Sequence, residues 1–171
     1  MKSDTARLTP VQIKDAEFLA KLISGEDVLL YTANSFPINT EEERRWIEAM
    51  TVGQGSAKTD VIFTVCLQNG KPIGIVGLHN INWINRSAEF GIIIDAEARE
   101  KGNGEKATRA IISYAFETLN LHRIYSDVYE NNVASLALHK KCGFEKEGVE
   151  IDGVFKNGAY LNVIRFAIIN S

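Results

Sequence analysis

Apolar positions in the first fifty residues recur at helical spacing, and beyond position 60 they shift to the alternation of strands. Ala6 to Thr9 reads as extended. Between Asp15 and Ile23 the residues Ala16, Leu19, Ala20 and Ile23 mark one helix face, and Gly25 follows as a stop. Ser35 to Asn39, with Pro37, reads as loop. Thr40 is predicted to cap the next helix, with Glu43 at the capping-box position and Trp46, Ile47 and Met50 on one face. Thr51 to Asp60 is predicted to be a flexible connector.

Val61 to Leu67 is a predicted strand, and Asn69-Gly70 signals a two-residue hairpin into a longer strand, Lys71 to Asn82. Ser87 to Asp95 follows as a third. A helix is expected from about Gly104 to Asn120, a strand from Arg123 to Tyr129, and a shorter helix from Asn132 to Cys142, closed by Gly143. Two last strands, Glu145 to Phe155 and Tyr160 to Ile169, flank Asn157-Gly158. Antiparallel strands followed by helical crossovers predict a mixed sheet of the α/β or α+β class.

The 171 residues suit one well-buried core, so a single domain over 1–171 is expected. With 45% hydrophobic and 24% charged residues the composition is that of a globular protein. The first seven residues lack the apolar stretch of a signal peptide and no run suits a membrane helix, so no membrane partner is expected. Cys66 and Cys142 have no pairing pattern and read as reduced, which makes the cytoplasm the default address. A net charge of −3 with scattered Lys and Arg argues against nucleic acid and is compatible with a cationic substrate. His79, His122 and His139 and the two cysteines show no metal-ligand spacing, so no metal is expected.

Arg99-Glu100-Lys101-Gly102-Asn103-Gly104 lies between a predicted strand and a predicted helix. Glycines there permit a tight turn and a close backbone approach to a ligand. The free N–H groups of the first helical turn then make an anion site that suits a diphosphate. A Walker A loop is excluded, because the Lys-Ser/Thr pair is missing. A dinucleotide fingerprint is formally present: Gly102 to Ala107 satisfies G-x-G-x-x-A, and Asp127 lies twenty residues on. Against it, about six residues separate the strand end from the first glycine, where that fold uses a tight turn. A loop without a ligand is the third reading.

From Ser87 to Ile168 the chain resembles the GNAT superfamily of N-acetyltransferases. Its acyl-CoA signature, Q/R-x-x-G-x-G/A, is matched by Arg99 to Gly104. Ala88-Glu89-Phe90-Gly91, Tyr114-Ala115-Phe116, Leu119 to Arg123, Asn132 to Ser135, Gly143-Phe144 and Glu147-Gly148 follow in the family's order. Within the superfamily the chain is similar to ribosomal-protein N-terminal acetyltransferases of the RimJ/RimL type and to bacterial spermidine acetyltransferases. The resemblance implies a mostly antiparallel twisted sheet of about seven strands flanked by about four helices. It divides the chain into an acceptor side (about 1–85), an acetyl-CoA-binding part (about 86–145) and a C-terminal strand pair (about 145–170).

The resemblance also implies chemistry: acetyl transfer from acetyl-CoA to a small amine or a peptide N-terminus in a ternary complex. CoA would enter between the fourth and fifth strands, its pantetheine along Gly91 to Ile94 and its pyrophosphate on the N–H groups of Lys101, Gly102, Asn103, Gly104 and Glu105, aided by Arg99 or Lys106. Asn132 would contact the pantetheine, and a backbone N–H near Ile92 or Ile93 would hold the oxyanion. Glu89 is the expected base, with a structural carboxylate as its other reading. Where spermidine-type members carry a tyrosine acid this chain has His139, so His139 or Ser135 is the expected proton donor, and a solvent-facing helix residue is the alternative for His139. Loss of that tyrosine is what would support an inactive acyl-CoA sensor. Trp46 is expected in packing, and Trp83 is open. The resemblance is compatible with a homodimer.

Overall fold

Alternating side chains in seven strands build one sheet with two covered faces. In the computed structural model, which describes residues 6–51 and 58–171, the strands are β1 (Arg7–Pro10), β2 (Val61–Cys66), β3 (Pro72–Asn82), β4 (Ser87–Ile94), β5 (Arg123–Tyr129), β6 (Glu145–Lys156) and β7 (Ala159–Ile169). Their order across the sheet is β1-β2-β3-β4-β5-β7-β6. Every neighbouring pair is antiparallel except β4–β5.

The helices are α1 (Ala16–Ile23), α2 (Glu26–Leu29), α3 (Thr40–Thr51), α4 (Asn103–Ser113) and α5 (Val133–Lys141). On one sheet face Val76, Leu78, Ala88 and Phe90 pack against Ala107 and Ile111 of α4. On the other, Ile62 and Ile75 meet Leu19, Leu22 and Ile23 of α1 and Ile47 of α3. Full burial of each large aliphatic side chain here stabilises by about 1.5–3 kcal/mol.

Three local features depart from the expectations. The cap of α3 is Asn39, not Thr40: its Oδ1 accepts from the N–H groups of Glu41 (3.0 Å) and Glu42 (2.9 Å), and the Glu42 carboxylate accepts from Asn39 N–H at 2.8 Å. Two overlapping capping boxes were available, and asparagine is the stronger cap. Glu43 is thereby released from capping and turns inward. Helix α1 does stop just before Gly25, but Gly25 also N-caps α2, a one-turn helix too short to show periodicity. Finally, α4 ends at Ser113 and continues as a π-helical turn, Tyr114–Thr118. Of the predicted connector, positions 52–57 lie outside the described residues.

Candidate active site

The parallel pair holds for only three residues. Ser87, Ala88 and Glu89 of β4 pair with Arg123, Ile124 and Tyr125 of β5, and no pair follows. Beyond Glu89, β4 keeps its bonds to β3, while Ser126 to Tyr129 stay paired with β7. The sheet therefore forks, and a cavity of about 1670 Å³ opens there, lined among others by Ile92, Ile93, Ile94, Asn132 and Ser135. The facing strand edges offer unpaired backbone groups to an extended ligand.

At one end of the fork the loop from Arg99 reaches α4. Gly102 N-caps the helix with φ 75, a left-handed conformation that strains any side chain. Lys106 N–H makes the first helical bond, to Gly102 O at 3.1 Å. The N–H groups before it have no helical carbonyl to reach, which leaves an anion site at the helix N-terminus. Most predicted side chains here brace the loop. Arg99 donates Nε–H to Ile94 O at 2.8 Å and pairs with Asp27 at 2.6 Å. Lys101 Nζ donates to Glu97 O at 2.7 Å. Asn103 is buried and donates to Ala98 O at 3.0 Å. Glu105 is held by Arg109 at 3.0 Å and Lys141 at 2.7 Å, and these two bonds lower its carboxyl pKa. Lys106 is exposed, with no ion pair among the described residues.

Asn132 caps α5, its Oδ1 accepting from Ser135 N–H at 3.1 Å. Its NH₂ group remains for a ligand carbonyl. His139 does not face solvent: it is 2% exposed, among the rings of Phe90, Phe144 and Phe166. Its Nδ1 lies 2.8 Å from Ser135 O, and a carbonyl only accepts, so Nδ1 carries the proton. The other ring nitrogen, Nε2, is buried with no hydrogen-bond partner among the described residues. Burial holds its pKa below the usual histidine value. A neutral ring whose one N–H is committed to the helix is a poor acid. Ser135 is half-buried in the same cavity wall, its Oγ 3.3 Å from His139 Nδ1.

The opposite part of the cavity is acidic. Glu42, Glu43, Trp46 and Met50 of α3 line it, with Asp60, His79 and Glu89. Glu43 is 2% exposed, its Oε1 has no hydrogen-bond partner among the described residues, and burial pushes its carboxyl pKa from 4.5 to about 7. Trp46 is not a packing residue; 39% of it is exposed, on the cavity wall. Trp83 instead packs beside the core and donates Nε1–H to Lys58 O at 2.8 Å. Glu89 Oε2 accepts from Asn80 Nδ2 at 2.9 Å, the asparagine sitting in a bulge of β3 with φ 50. Asp60, His79 and the buried state of Glu43 were not recognisable from spacing along the chain, since strand register brings them together.

The dinucleotide reading fails on this geometry. Asp127 is taken by Arg165 in a two-pronged pair, with both distances 2.9 Å, and the sheet is largely antiparallel. Among the described residues no group of three or more His, Cys, Asp or Glu could hold a metal, and no helix is long and apolar enough to cross a membrane.

A parallel strand pair that forks beside a glycine loop at a helix N-terminus defines an acyl-CoA-dependent transferase. The Acetyltransferase (GNAT) domain family matches residues 6–145, and the chain belongs to that family. It is 38% identical over 164 residues to a spermidine N(1)-acetyltransferase of Escherichia coli (strain K12), covering 96% of this chain and 86% of that one. It is 32% identical over 158 residues to the putative ribosomal N-acetyltransferase YdaF of Bacillus subtilis (strain 168), covering 91% and 86%. The crystal structure of spermidine N-acetyltransferase from Vibrio cholerae in complex with CoA and spermine superimposes with a TM-score of 0.87 at 30% identity, covering 96% of this chain and 95% of that one. The chain is an N-acetyltransferase that uses acetyl-CoA.

Proposed function

We propose that the acceptor is a polyamine of the spermidine type, acetylated at a primary amine. The observation that carries this is the charge of the acceptor side: the carboxylates Glu42, Asp60 and Glu89 and the buried carboxyl of Glu43 line the cavity, with Lys58 as a cation among them. A low-dielectric wall of one sign concentrates ligands of the other. The likeness to the spermidine N-acetyltransferases of E. coli and V. cholerae supports the same class.

The fork fits acetyl-CoA. The edge of β4 turned away from β3 along Ile92 to Ile94 suits an amide-rich arm, Gly102 and Gly104 let the backbone of the loop come close to a ligand, and the α4 N-terminus suits a pyrophosphate. Acetyl-CoA supplies an activated thioester carbonyl. Asn132 NH₂ orients it, and backbone N–H groups near Ile92 and Ile93 stabilise charge on its oxygen. Glu89, with Oε1 open to the cavity, draws in the acceptor ammonium. We assign the proton for the leaving sulfur to Ser135 rather than His139, a reading supported by the commitment of the His139 N–H to the Ser135 carbonyl. Holding both reactants in one cavity supplies much of the rate by proximity alone.

The test is thiol release from acetyl-CoA with spermidine, spermine, an aminosugar and an N-terminal peptide, each alone. Faster turnover with polyamines than with the peptide supports the proposal, and preference for the peptide overturns it.

A further inference from the structure

An ammonium must lose a proton before it can attack, and Glu89, which accepts the Asn80 amide on Oε2, is not the only basic side chain beside it. Directly opposite Glu89 in the β3–β4 register stands His79. Facing side chains at such a pair lie on the same sheet face, with Cβ atoms about 5 Å apart. That face is the one covered by α1 and α3, the acceptor side.

The imidazole is oriented. Its Nδ1 lies 3.0 Å from Asp60 Oδ1, and a carboxylate only accepts, so the ring proton sits on Nδ1 and Nε2 carries the free lone pair. The ring lies back over Gly77 and Gly91, themselves opposite one another on β3 and β4. A Cβ at Gly77 would come within 2.9 Å of Nε2, and one at Gly91 within 3.5 Å. Room for the ring is therefore made by two glycines. Gly91 is two residues past Glu89, where the β4–β5 pairing ends, so Nε2 stands at the fork. Both side chains of the pair are 35% exposed, in the cavity wall.

We propose that His79 is the general base for the acceptor amine and Asp60 its positioning residue. This inference rests on the acetyl-transfer reading above. The acceptor ammonium, held by Glu89, breaks one N–H bond and that proton forms a bond to His79 Nε2. The freed nitrogen lone pair attacks the acetyl carbonyl to form the C–N bond, and the tetrahedral adduct collapses with cleavage of the C–S bond, its electron pair leaving on sulfur. The imidazolium is neutralised by Asp60 and returns its proton to cavity water. The second proton lost from nitrogen accompanies the sulfur, so the reaction releases one amide, one thiol and one proton. The charged groups around the ring are Asp60 on the loop before β2, Glu89 on β4, Glu42 and Glu43 on α3, and Lys58.

Three variants and one spectrum test this. His79→Gln and Asp60→Asn are each expected to lower kcat about a hundredfold with the acceptor KM changed less than threefold, the usual scale of a lost base. Asparagine at 60 can donate to Nδ1 and so force the proton onto Nε2, closing the base without moving it. His79→Ala should recover part of its rate with added imidazole. Nitrogen-15 NMR of the protein without acceptor should show His79 protonated at Nδ1, and at Nε2 in Asp60→Asn. Variants within threefold of the unaltered kcat, or an Nε2-protonated ring in the unaltered protein, overturn the dyad. No thiol release by the unaltered protein with any amine overturns the acetyl-transfer reading instead, and the spectrum is read without turnover.

Discussion

Glu43→Gln isolates the most perturbed carboxyl of the acceptor wall. Below pH 4.5 the side chain is protonated in both the folded and the unfolded chain and contributes no pH dependence. Between 4.5 and about 7 the unfolded chain ionises while the folded one keeps its proton, so the folded state binds more protons and stability falls as pH rises. The rise from 4.5 to about 7, at ~1.36 kcal/mol per pH unit, sets a ceiling of about 3 kcal/mol. Water in the cavity screens the carboxylate once charged, so a span of ~1–3 kcal/mol is expected. Glutamine removes this dependence, while any cost of its amide is the same at every pH. Urea unfolding of both proteins at pH 4.5, 6 and 8 reads the difference. The variant should gain on the unaltered protein between pH 4.5 and 8, and saturating spermidine, which pairs with the ionised carboxylate, should favour the unaltered protein. A stability difference flat within ~0.5 kcal/mol across this range would refute the reasoning.

Gly102→Ala places a side chain at φ 75; it should cost about 1–2 kcal/mol in thermal unfolding and weaken acetyl-CoA binding by calorimetry. His139 has the opposite linkage to Glu43. Its folded pKa lies below the ordinary value of 6.5 through burial, so the stability it contributes is present above 6.5 and is lost as pH falls through the folded pKa. His139→Leu should remove that acid-side loss, measured by unfolding at pH 5 and pH 7.5, and equal pH slopes in the two proteins would contradict it.

The glycine loop and the helix N-termini at one end of the fork were legible because their determinants are local. A glycine with positive φ, a helix N-terminus and a capping asparagine occupy short stretches, Arg99 to Gly104 and Asn132 to Ser135, and each leaves a motif. The strands from Val61 onward were equally readable, because period-two alternation and the two-residue turn Asn157-Gly158 agree with the pairs that form, whereas Asn69-Gly70 belongs to a three-residue loop closed by Leu67 N–H to Lys71 O at 2.9 Å. The acceptor half was not. Glu43, Asp60, His79 and Glu89 are brought together by the β2–β3–β4 register and by α3 lying across it, and the choice between two overlapping caps decided which glutamate was buried. Nothing in the spacing of His139 distinguishes a solvent-facing residue from one enclosed by three phenylalanines on other elements.

The two proton transfers of the reaction are unequal, and the structure is arranged accordingly. An alkyl ammonium of pKa ~10.4 is neutral in roughly one molecule in a thousand near pH 7.5, a penalty of about 4 kcal/mol. A leaving thiol of pKa ~8.5 is already mostly protonated at equilibrium at that pH, so its donor has far less to supply. On the resemblance to spermidine-type members, a histidine in place of their tyrosine would give up only the smaller contribution. His139 in its place is neutral, enclosed and bonded to its own helix. The acceptor side carries the opposite investment: a carboxylate to receive the ammonium, and an imidazole fixed by Asp60 over two glycines at the fork. On this reasoning the substitution of histidine for tyrosine leaves an active enzyme rather than a sensor, with the slower proton transfer supported by residues of β3 and the loop before β2.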